Sequence, residues 1–434
     1  MDARKLAEIT GGELSGENLP VSGFHFDSRE IEPGQVFIPI SGKRDGHQFI
    51  EGALSKGAVG FLTSHDVKPL KRKFAVKVED TFKAFQKVAL YKRSLFSGTV
   101  IGVTGSVGKT TTKELLTHLF SACTSVYSNV KSYNNLLGLT YTLSNLKEVQ
   151  VYVQELGTNS PGEIGELSSL LKPHVGVVTS VERAHLQGFG DFESLLREKF
   201  SLTRSAEVSV VPAHLSSYSE SKETVTFGEN GDVKLTYLEP SSEGTKFGIS
   251  VFGEKIDLFT SVPGFSVVNA SLVGGALLKI LDYPLSLLRE VEKFRPPKMR
   301  MEIYRLQKGV LIDDSYNANP ASFRNAVKVL SLFKMPKVVI AGEMLELGKF
   351  SPSEHRLLGE ELVKAGVDEL IAFGKETAEM VKVFKGKAYH FTDREEFLNF
   401  LSEYPFCGKA VLVKGSRGNR LEEAVEIVKK RLEK

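Results

Sequence analysis

Thr99-Val100-Ile101-Gly102-Val103-Thr104-Gly105-Ser106-Val107-Gly108-Lys109-Thr110-Thr111 sets a strand-forming apolar run against a glycine-bearing loop that ends in a lysine and two threonines. Leu115, Leu116, Leu119 and Phe120 follow on one helical face, so the stretch reads strand, loop, amphipathic helix. That order suits phosphate binding. Glycines let backbone N–H groups close around phosphate oxygens, Lys109 reaches the β and γ phosphates, and the Thr110 hydroxyl can bind Mg²⁺. Gly105, Ser106, Val107, Gly108, Lys109, Thr110 and Thr111 are therefore the candidate ATP contacts. The position five before Gly108 is Val103, where the common pattern has glycine. The competing reading is a glycine-rich turn with a solvated lysine, and the strand and helix on either side argue against it.

Toward the amino end, Val36-Phe37-Ile38-Pro39-Ile40 and Val59-Gly60-Phe61-Leu62 read as strands and residues 82–95 as a helix. Beyond the loop, Val151-Tyr152-Val153 and Val175-Gly176-Val177-Val178 read as strands, and alternating runs from Thr224 to Leu258 as a β-meander. Arg295-Pro296-Pro297-Lys298 then breaks the pattern, because paired prolines stop a helix and keep the chain extended. After it, strands at Val310-Leu311-Ile312, Val338-Val339-Ile340-Ala341, Leu370-Ile371-Ala372 and Ala410-Val411-Leu412-Val413 alternate with helical stretches, as a Rossmann-like parallel sheet requires. The predicted fold class is α/β with three domains: a small α/β domain over 1–97, a central P-loop domain with a parallel sheet plus β-meander over 98–298, and a Rossmann-like domain over 299–434.

The totals agree with that division. A chain of 434 residues fits two or three domains at roughly 100–200 residues each. Apolar residues at 41% and charged residues at 25% are the balance of an ordinary globular protein. A net charge of +3 with the signs mixed supplies no broad basic face for a nucleic-acid backbone, so no nucleic-acid partner is expected. Cys123 and Cys407 have no Cys or His neighbours at zinc-ligand spacing and read as buried thiols. The first residues lack the apolar core of a signal peptide and no later run is long enough to span a bilayer. The expected setting is a reducing cytoplasm, with no membrane partner.

Further clusters carry candidate chemistry. Glu155 follows the strand from Val151 to Gln154, where a Mg²⁺ ligand, direct or acting through another ligand, would sit beside a phosphate loop; alone it also fits an ordinary surface glutamate. His185 follows the strand from Val175 and alone fits a hydrogen-bonded loop histidine. Asp313-Asp314-Ser315-Tyr316-Asn317-Ala318-Asn319-Pro320 gathers carboxylates, hydroxyls and amides at a strand end, where open α/β sheets bind ligands. A helix cap explains Asn319 and Pro320 but not the aspartate pair. Lys414-Gly415-Ser416-Arg417 offers two cations and a hydroxyl to an anion, or a turn with solvated charges. Asp27-Ser28-Arg29 with Asp45-Gly46-His47 forms a polar loop pair that also fits a solvated surface.

With these motifs the chain resembles the Mur ligases over all three domains. Thr104 to Thr111 is similar to that family's shortened loop. Asn134-Asn135-Leu136-Leu137-Gly138, Glu155-Leu156-Gly157-Thr158-Asn159-Ser160-Pro161-Gly162-Glu163-Ile164, Ala184-His185-Leu186-Gln187-Gly188-Phe189-Gly190 and the Asp313 to Pro320 stretch resemble the member that handles D-alanyl-D-alanine. The resemblance implies ATP-dependent ligation of D-alanyl-D-alanine to UDP-N-acetylmuramoyl-tripeptide through an acyl phosphate, in cytoplasmic peptidoglycan precursor synthesis, by a monomer. It implies that Lys109, Thr110 and Thr111 hold ATP phosphates and one Mg²⁺. Glu155 and His185 would ligate a second Mg²⁺, and Lys199, carbamylated by CO₂, would stand beside them. Asn269 would lie on the adenine side, and Arg300 and Asp314 would hold the ribose. Asp27, Ser28 and Arg29 would contact the uridine diphosphate. Asp45, Gly46, His47, Asn134, Asn135, Ser315, Tyr316, Asn317, Lys414, Ser416 and Arg417 would meet the rest of the substrates. The chain departs from the family at Phe265-Ser266 before Asn269, and at Phe200-Ser201 after Lys199. Other readings are the sister ligase adding the third peptide residue, a P-loop kinase, and an ATP-switched binding module.

Overall fold

Residues Thr99–Thr104 form a strand that is buried from Val100 onward, and Lys109–Ser121 form the helix beyond the loop, with Leu115, Leu116, Leu119 and Phe120 fully buried. Each such side chain contributes about 1.5–3 kcal/mol when removed from water. The computed structural model describes residues 1–42, 44–66, 71–182 and 186–433. Contacts divide the chain into two units. One holds Met1–Gly102, Ser125–Leu156 and Glu166–Pro173, the other Val103–Thr124, Gly157–Gly165 and His174–Lys434.

The first sheet has five strands in the order Glu13–Gly16, Phe74–Lys77, Gly60–Thr63, Gln35–Phe37 and Gly23–His25. The first pair is antiparallel and the rest are parallel. Helices Ala3–Thr10 and Thr81–Leu95 are started by Asp2 and Asp80, whose side chains accept the first backbone N–H groups. Leu6, Phe85 and Val88 pack with Phe24, Val36, Leu62 and Phe74 into one core.

The second sheet has nine strands in the order Glu254–Thr260, Gly244–Val251, Val233–Ser241, Glu223–Phe227, Val208–Pro212, Val175–Val178, Thr99–Thr104, Val151–Glu155 and Val126–Ser128. Glu223–Phe227 runs parallel to Val208–Pro212. The antiparallel meander therefore begins at Val233 and not at Thr224, and covers Val233–Ser241, Gly244–Val251 and Glu254–Thr260.

The third sheet has six strands in the order Glu302–Leu306, Gly309–Asp314, Lys409–Lys414, Lys337–Gly342, Glu369–Phe373 and Lys387–Phe391, parallel except for the first pair. Its core includes Leu311, Val338, Ile340, Ile371, Val411 and Phe397. Cys123 and Cys407 are exposed, against the expected burial, because each lies in a turn beyond an element end. Among the described residues no helix is long and apolar enough to cross a membrane.

Candidate functional site

The phosphate loop is shaped by its glycines. Gly105 has φ 146° and Gly108 φ 87°, and a Cβ on Gly105 would lie 2.1 Å from the Thr179 hydroxyl. Segment 179–182 backs the loop. The Ser106 N–H donates to the Ser180 carbonyl at 2.8 Å and the Val107 N–H to the Ser180 hydroxyl at 3.1 Å. The Thr179 hydroxyl donates to the Val107 carbonyl at 2.7 Å, and the Ser106 hydroxyl to the Glu182 carbonyl at 3.1 Å. Lys109 Nζ donates to the Gly105 carbonyl at 2.8 Å, so its ammonium stays over the loop. Thr110 is buried and Thr111 half-buried in the first turn of the helix, where the helix dipole favours anions. Asn269 is exposed on helix Phe265–Ile280, one turn past the exposed Phe265.

Glu155 is the last residue of its strand and is 2% exposed, which sets aside the surface-glutamate reading. Its N–H donates to Asn129 Oδ1 at 2.9 Å and its Oε1 accepts from Asn134 Nδ2 at 2.9 Å. Asn135 caps helix Leu136–Ser144, accepting the Gly138 N–H at 2.9 Å. Both asparagines thus have local partners.

Lys199 lies on helix Phe192–Phe200 and is 1% exposed. Its neighbour Glu198 is also buried. The Glu198 carboxylate accepts the N–H groups of Gly162 and Ile164, each at 2.7 Å, which fixes this helix against residues 162–164. Sequence reasoning passed over Glu198, because a glutamate in a charged helical stretch reads as solvated. His185 lies outside the described residues.

On the third sheet, Asp313 and Asp314 end one strand and Lys414 ends its parallel neighbour, with Asp314 opposite Lys414 in the register. Burial pushes the Asp313 carboxyl up from its ordinary range, against the Ser315 hydroxyl that donates to it at 2.5 Å. Asp314 accepts the Met301 N–H at 3.0 Å and pairs with the buried Lys414 ammonium. Lys414 also donates to the Asn317 carbonyl at 3.0 Å. The Ser416 hydroxyl donates to the Ala318 carbonyl at 3.1 Å and accepts the Leu345 N–H at 2.9 Å, so it ties two loops together. Asn419 does the same for the Glu343 backbone, a role that no motif revealed. Arg300 stands 4.0 Å from the Tyr316 ring centroid and Arg417 5.8 Å, with Arg417 paired to Glu422.

In the first sheet's loops Arg29 forks onto Asp27, with Nε 2.9 Å from Oδ1 and Nη2 2.6 Å from Oδ2. The pair holds the Asp27 carboxyl down at about 2. Ser28 lies half-buried between them. Asp45 accepts from the His47 N–H at 3.0 Å and lies 2.6 Å from its Nδ1. The Ser64 N–H donates to His47 Nε2 at 3.1 Å, which makes Nδ1 the protonated nitrogen. His65 stacks on His47 at 4.2 Å. Gly46 is buried, and a Cβ there would lie 2.6 Å from the Ile40 nitrogen.

A phosphate loop on a nine-stranded sheet, a buried strand-end carboxylate and a third, Rossmann-like sheet fit an ATP-using enzyme. The Mur ligase middle domain matches residues 103–277, and the Mur ligase glutamate ligase domain matches residues 299–417. The chain belongs to the Mur ligase family. It is 30% identical to the UDP-N-acetylmuramoyl-tripeptide–D-alanyl-D-alanine ligase of Bacillus subtilis (strain 168), over 98% of this chain and 97% of that protein. It is also 30% identical to the ligase of the same name from Escherichia coli (strain K12), over 97% and 96%. The crystal structure of MurF from Acinetobacter baumannii superimposes with a TM-score of 0.89 at 28% identity, covering 100% of this chain and 98% of that one. MurF ligase from Thermotoga maritima in complex with ADP superimposes with a TM-score of 0.83 at 28% identity, covering 95% and 98%.

Proposed function

We propose that this protein joins D-alanyl-D-alanine to UDP-N-acetylmuramoyl-tripeptide, using ATP and releasing ADP and phosphate. The observation that carries the reading is the full-length similarity to ligases of that name, together with a phosphate loop closed by Gly105, Gly108 and Lys109. A carboxylate does not accept an amine directly, because its oxide is a poor leaving group. The substrate carboxylate therefore attacks the γ-phosphorus and expels ADP. The D-alanyl-D-alanine amine then adds to the acyl phosphate and gives up a proton, and phosphate leaves with the C–O bond electrons and takes that proton up. Lys109, held over the loop, meets the charge that develops on the transferring phosphoryl group. Mg²⁺, when bound, would neutralise phosphate charge; the Thr110 hydroxyl offers an oxygen donor to one such cation and the Glu155 carboxylate to a second.

The remaining roles belong to the same proposal. Residues 1–97, 98–298 and 299–434 act as UDP-substrate, ATP and closing domains. Asp27, Ser28 and Arg29 hold the diphosphate, and Arg300 and Asp314 the ribose, with Asn269 beside the adenine. The peptide side falls to Asp45, Gly46, His47, Ser315, Tyr316, Asn317, Lys414, Ser416 and Arg417, and His185 joins Glu155 at the second cation. The setting is the cytoplasm, and the working form is a monomer.

Lys199 is proposed as a carbamate. The proposal rests on the family resemblance: a neutral amine adds to CO₂ and loses one proton to give an oxygen-bearing anion suited to a hard cation. Lys199→Ala is expected to lose most activity and regain part of it with formate. A variant that is active without formate removes the role. The function itself is tested by phosphate release. It should require UDP-muramoyl-tripeptide and D-alanyl-D-alanine together, and release with UDP-muramoyl-dipeptide and a single amino acid would assign the sister reaction instead.

A further inference from the structure

The loop of residues 129–135 is stitched to the end of the strand that carries Glu155. The Glu155 N–H donates to Asn129 Oδ1 at 2.9 Å, and Gln154 Nε2 donates to the Tyr133 carbonyl at 3.0 Å. Gln154 is itself held by the Tyr152 hydroxyl, which donates to its Oε1 at 2.5 Å. On either side of Asn134 the chain is fixed, by its own N–H donating to the Ser132 carbonyl at 2.8 Å and by the Asn135 cap on Gly138. Within this frame Asn134 Nδ2 reaches Glu155 Oε1 at 2.9 Å.

A carboxylate can only accept, so the Asn134 amide must present its NH₂ group, and its orientation is determined. The donor is neutral. Lysine or arginine in its place would cancel the charge a cation needs, whereas an amide fixes the carboxylate and leaves that charge intact. Glu155 is 2% exposed, so water cannot replace the bond cheaply.

We infer that Asn134 is a positioning residue that fixes the Glu155 carboxylate for a divalent cation, and not a contact to the UDP-substrate. The two asparagines then divide the work: Asn135 starts a helix and Asn134 orients a ligand. The inference rests on the proposed metal role of Glu155. Partners that orient a metal ligand change metal affinity by about 10- to 100-fold when removed.

The test is Mn²⁺ binding to the full chain, read by electron paramagnetic resonance with ADP present and UDP-substrate absent, for wild type, Asn134→Ala, Asn134→Leu and Glu155→Gln. Asn134→Leu keeps nearly the same volume without the donor, so at least one variant should retain the loop's packing, as checked by circular dichroism. The expected result is a loss of Mn²⁺ affinity of about 10- to 100-fold in the folded Asn134 variants, with turnover partly restored by excess Mg²⁺. Unchanged Mn²⁺ affinity, with only the KM for UDP-substrate raised, would overturn the inference and return Asn134 to the substrate. If Glu155→Gln also binds Mn²⁺ as wild type does, the metal role of Glu155 fails first. If Glu155→Gln alone is weakened, only the role of Asn134 fails.

Discussion

At the scale of single residues, Lys109 and Asp27 show how far a side chain's chemistry can be read from its neighbours. Lys109 donates to the Gly105 carbonyl of its own loop, so Lys109→Ala should leave the far-UV spectrum unchanged and abolish ligation. Activity within about tenfold of wild type, a difference of only about 1.4 kcal/mol, would contradict the role. Asp27 is held at about 2, chiefly by the hydrogen bond from Arg29, against an ordinary 3.8. Its folded value lies below its unfolded one, so the stability it contributes is fully present above about pH 4 and is lost as pH falls through 2. Carboxyl-carbon NMR should place its midpoint near 2 and show it move toward 3.8 in Arg29→Ala. A midpoint that Arg29→Ala leaves in place would remove Arg29 as the cause. Lys109 was legible in the sequence because its context spans adjacent residues. The partners of Glu155 were not, since Asn129 and Asn134 stand 26 and 21 positions away and only the folded chain brings them together.

Several elements with two-sided burial were legible, although the internal strand Val208–Pro212 was not. The runs at Val175, Val338 and Ala410 are central strands with apolar side chains on both faces, so they read directly. Glu302–Leu306 and Lys387–Phe391 escaped because both are edge strands that interleave polar and apolar residues and stay half-exposed. The Asp313 to Pro320 stretch supports two readings at once, and the structure separates them. Asn319 caps helix Pro320–Leu330 in a reciprocal box with Ser322, with Pro320 in the first turn. At the strand end Asp314 pairs with Lys414, while Asp313 accepts from the Ser315 hydroxyl. Asn319→Ala should therefore lower stability by about 1 kcal/mol, visible as a shift in the urea midpoint, with the KM for both substrates within about twofold of wild type. A large KM change at unaltered stability would move Asn319 from the cap into the site.

For the whole molecule, the governing constraint is that water destroys an acyl phosphate. The phosphate loop belongs to the nine-stranded sheet, and Asp313 to Asn317 and Lys414 to Arg417 belong to the six-stranded one. Between the sheets, residues 294–297 carry no regular structure and include Pro296 and Pro297, which cannot donate a backbone hydrogen bond. One tether across this link is exposed: Arg305 lies 3.3 Å from Glu243 and donates to the Ser242 carbonyl. Such a pair contributes about 0–1 kcal/mol, and Phe350 of the last domain also packs against the Val178, Phe200 and Val211 cluster of the central one, so ligands must gain more on closure than both contacts supply. Closure of the last sheet over the bound nucleotide would exclude water and complete the set of charges around the phosphoryl group. Small-angle scattering should therefore show a smaller radius of gyration with a non-hydrolysable ATP analogue and UDP-substrate together than with either alone. Arg305→Ala should reach the same compact form, because the tether opposes motion rather than driving it. Curves that superimpose with and without both ligands would rule out a hinge at Pro296-Pro297, and the exclusion of water would then have to come from loops within each sheet's own domain.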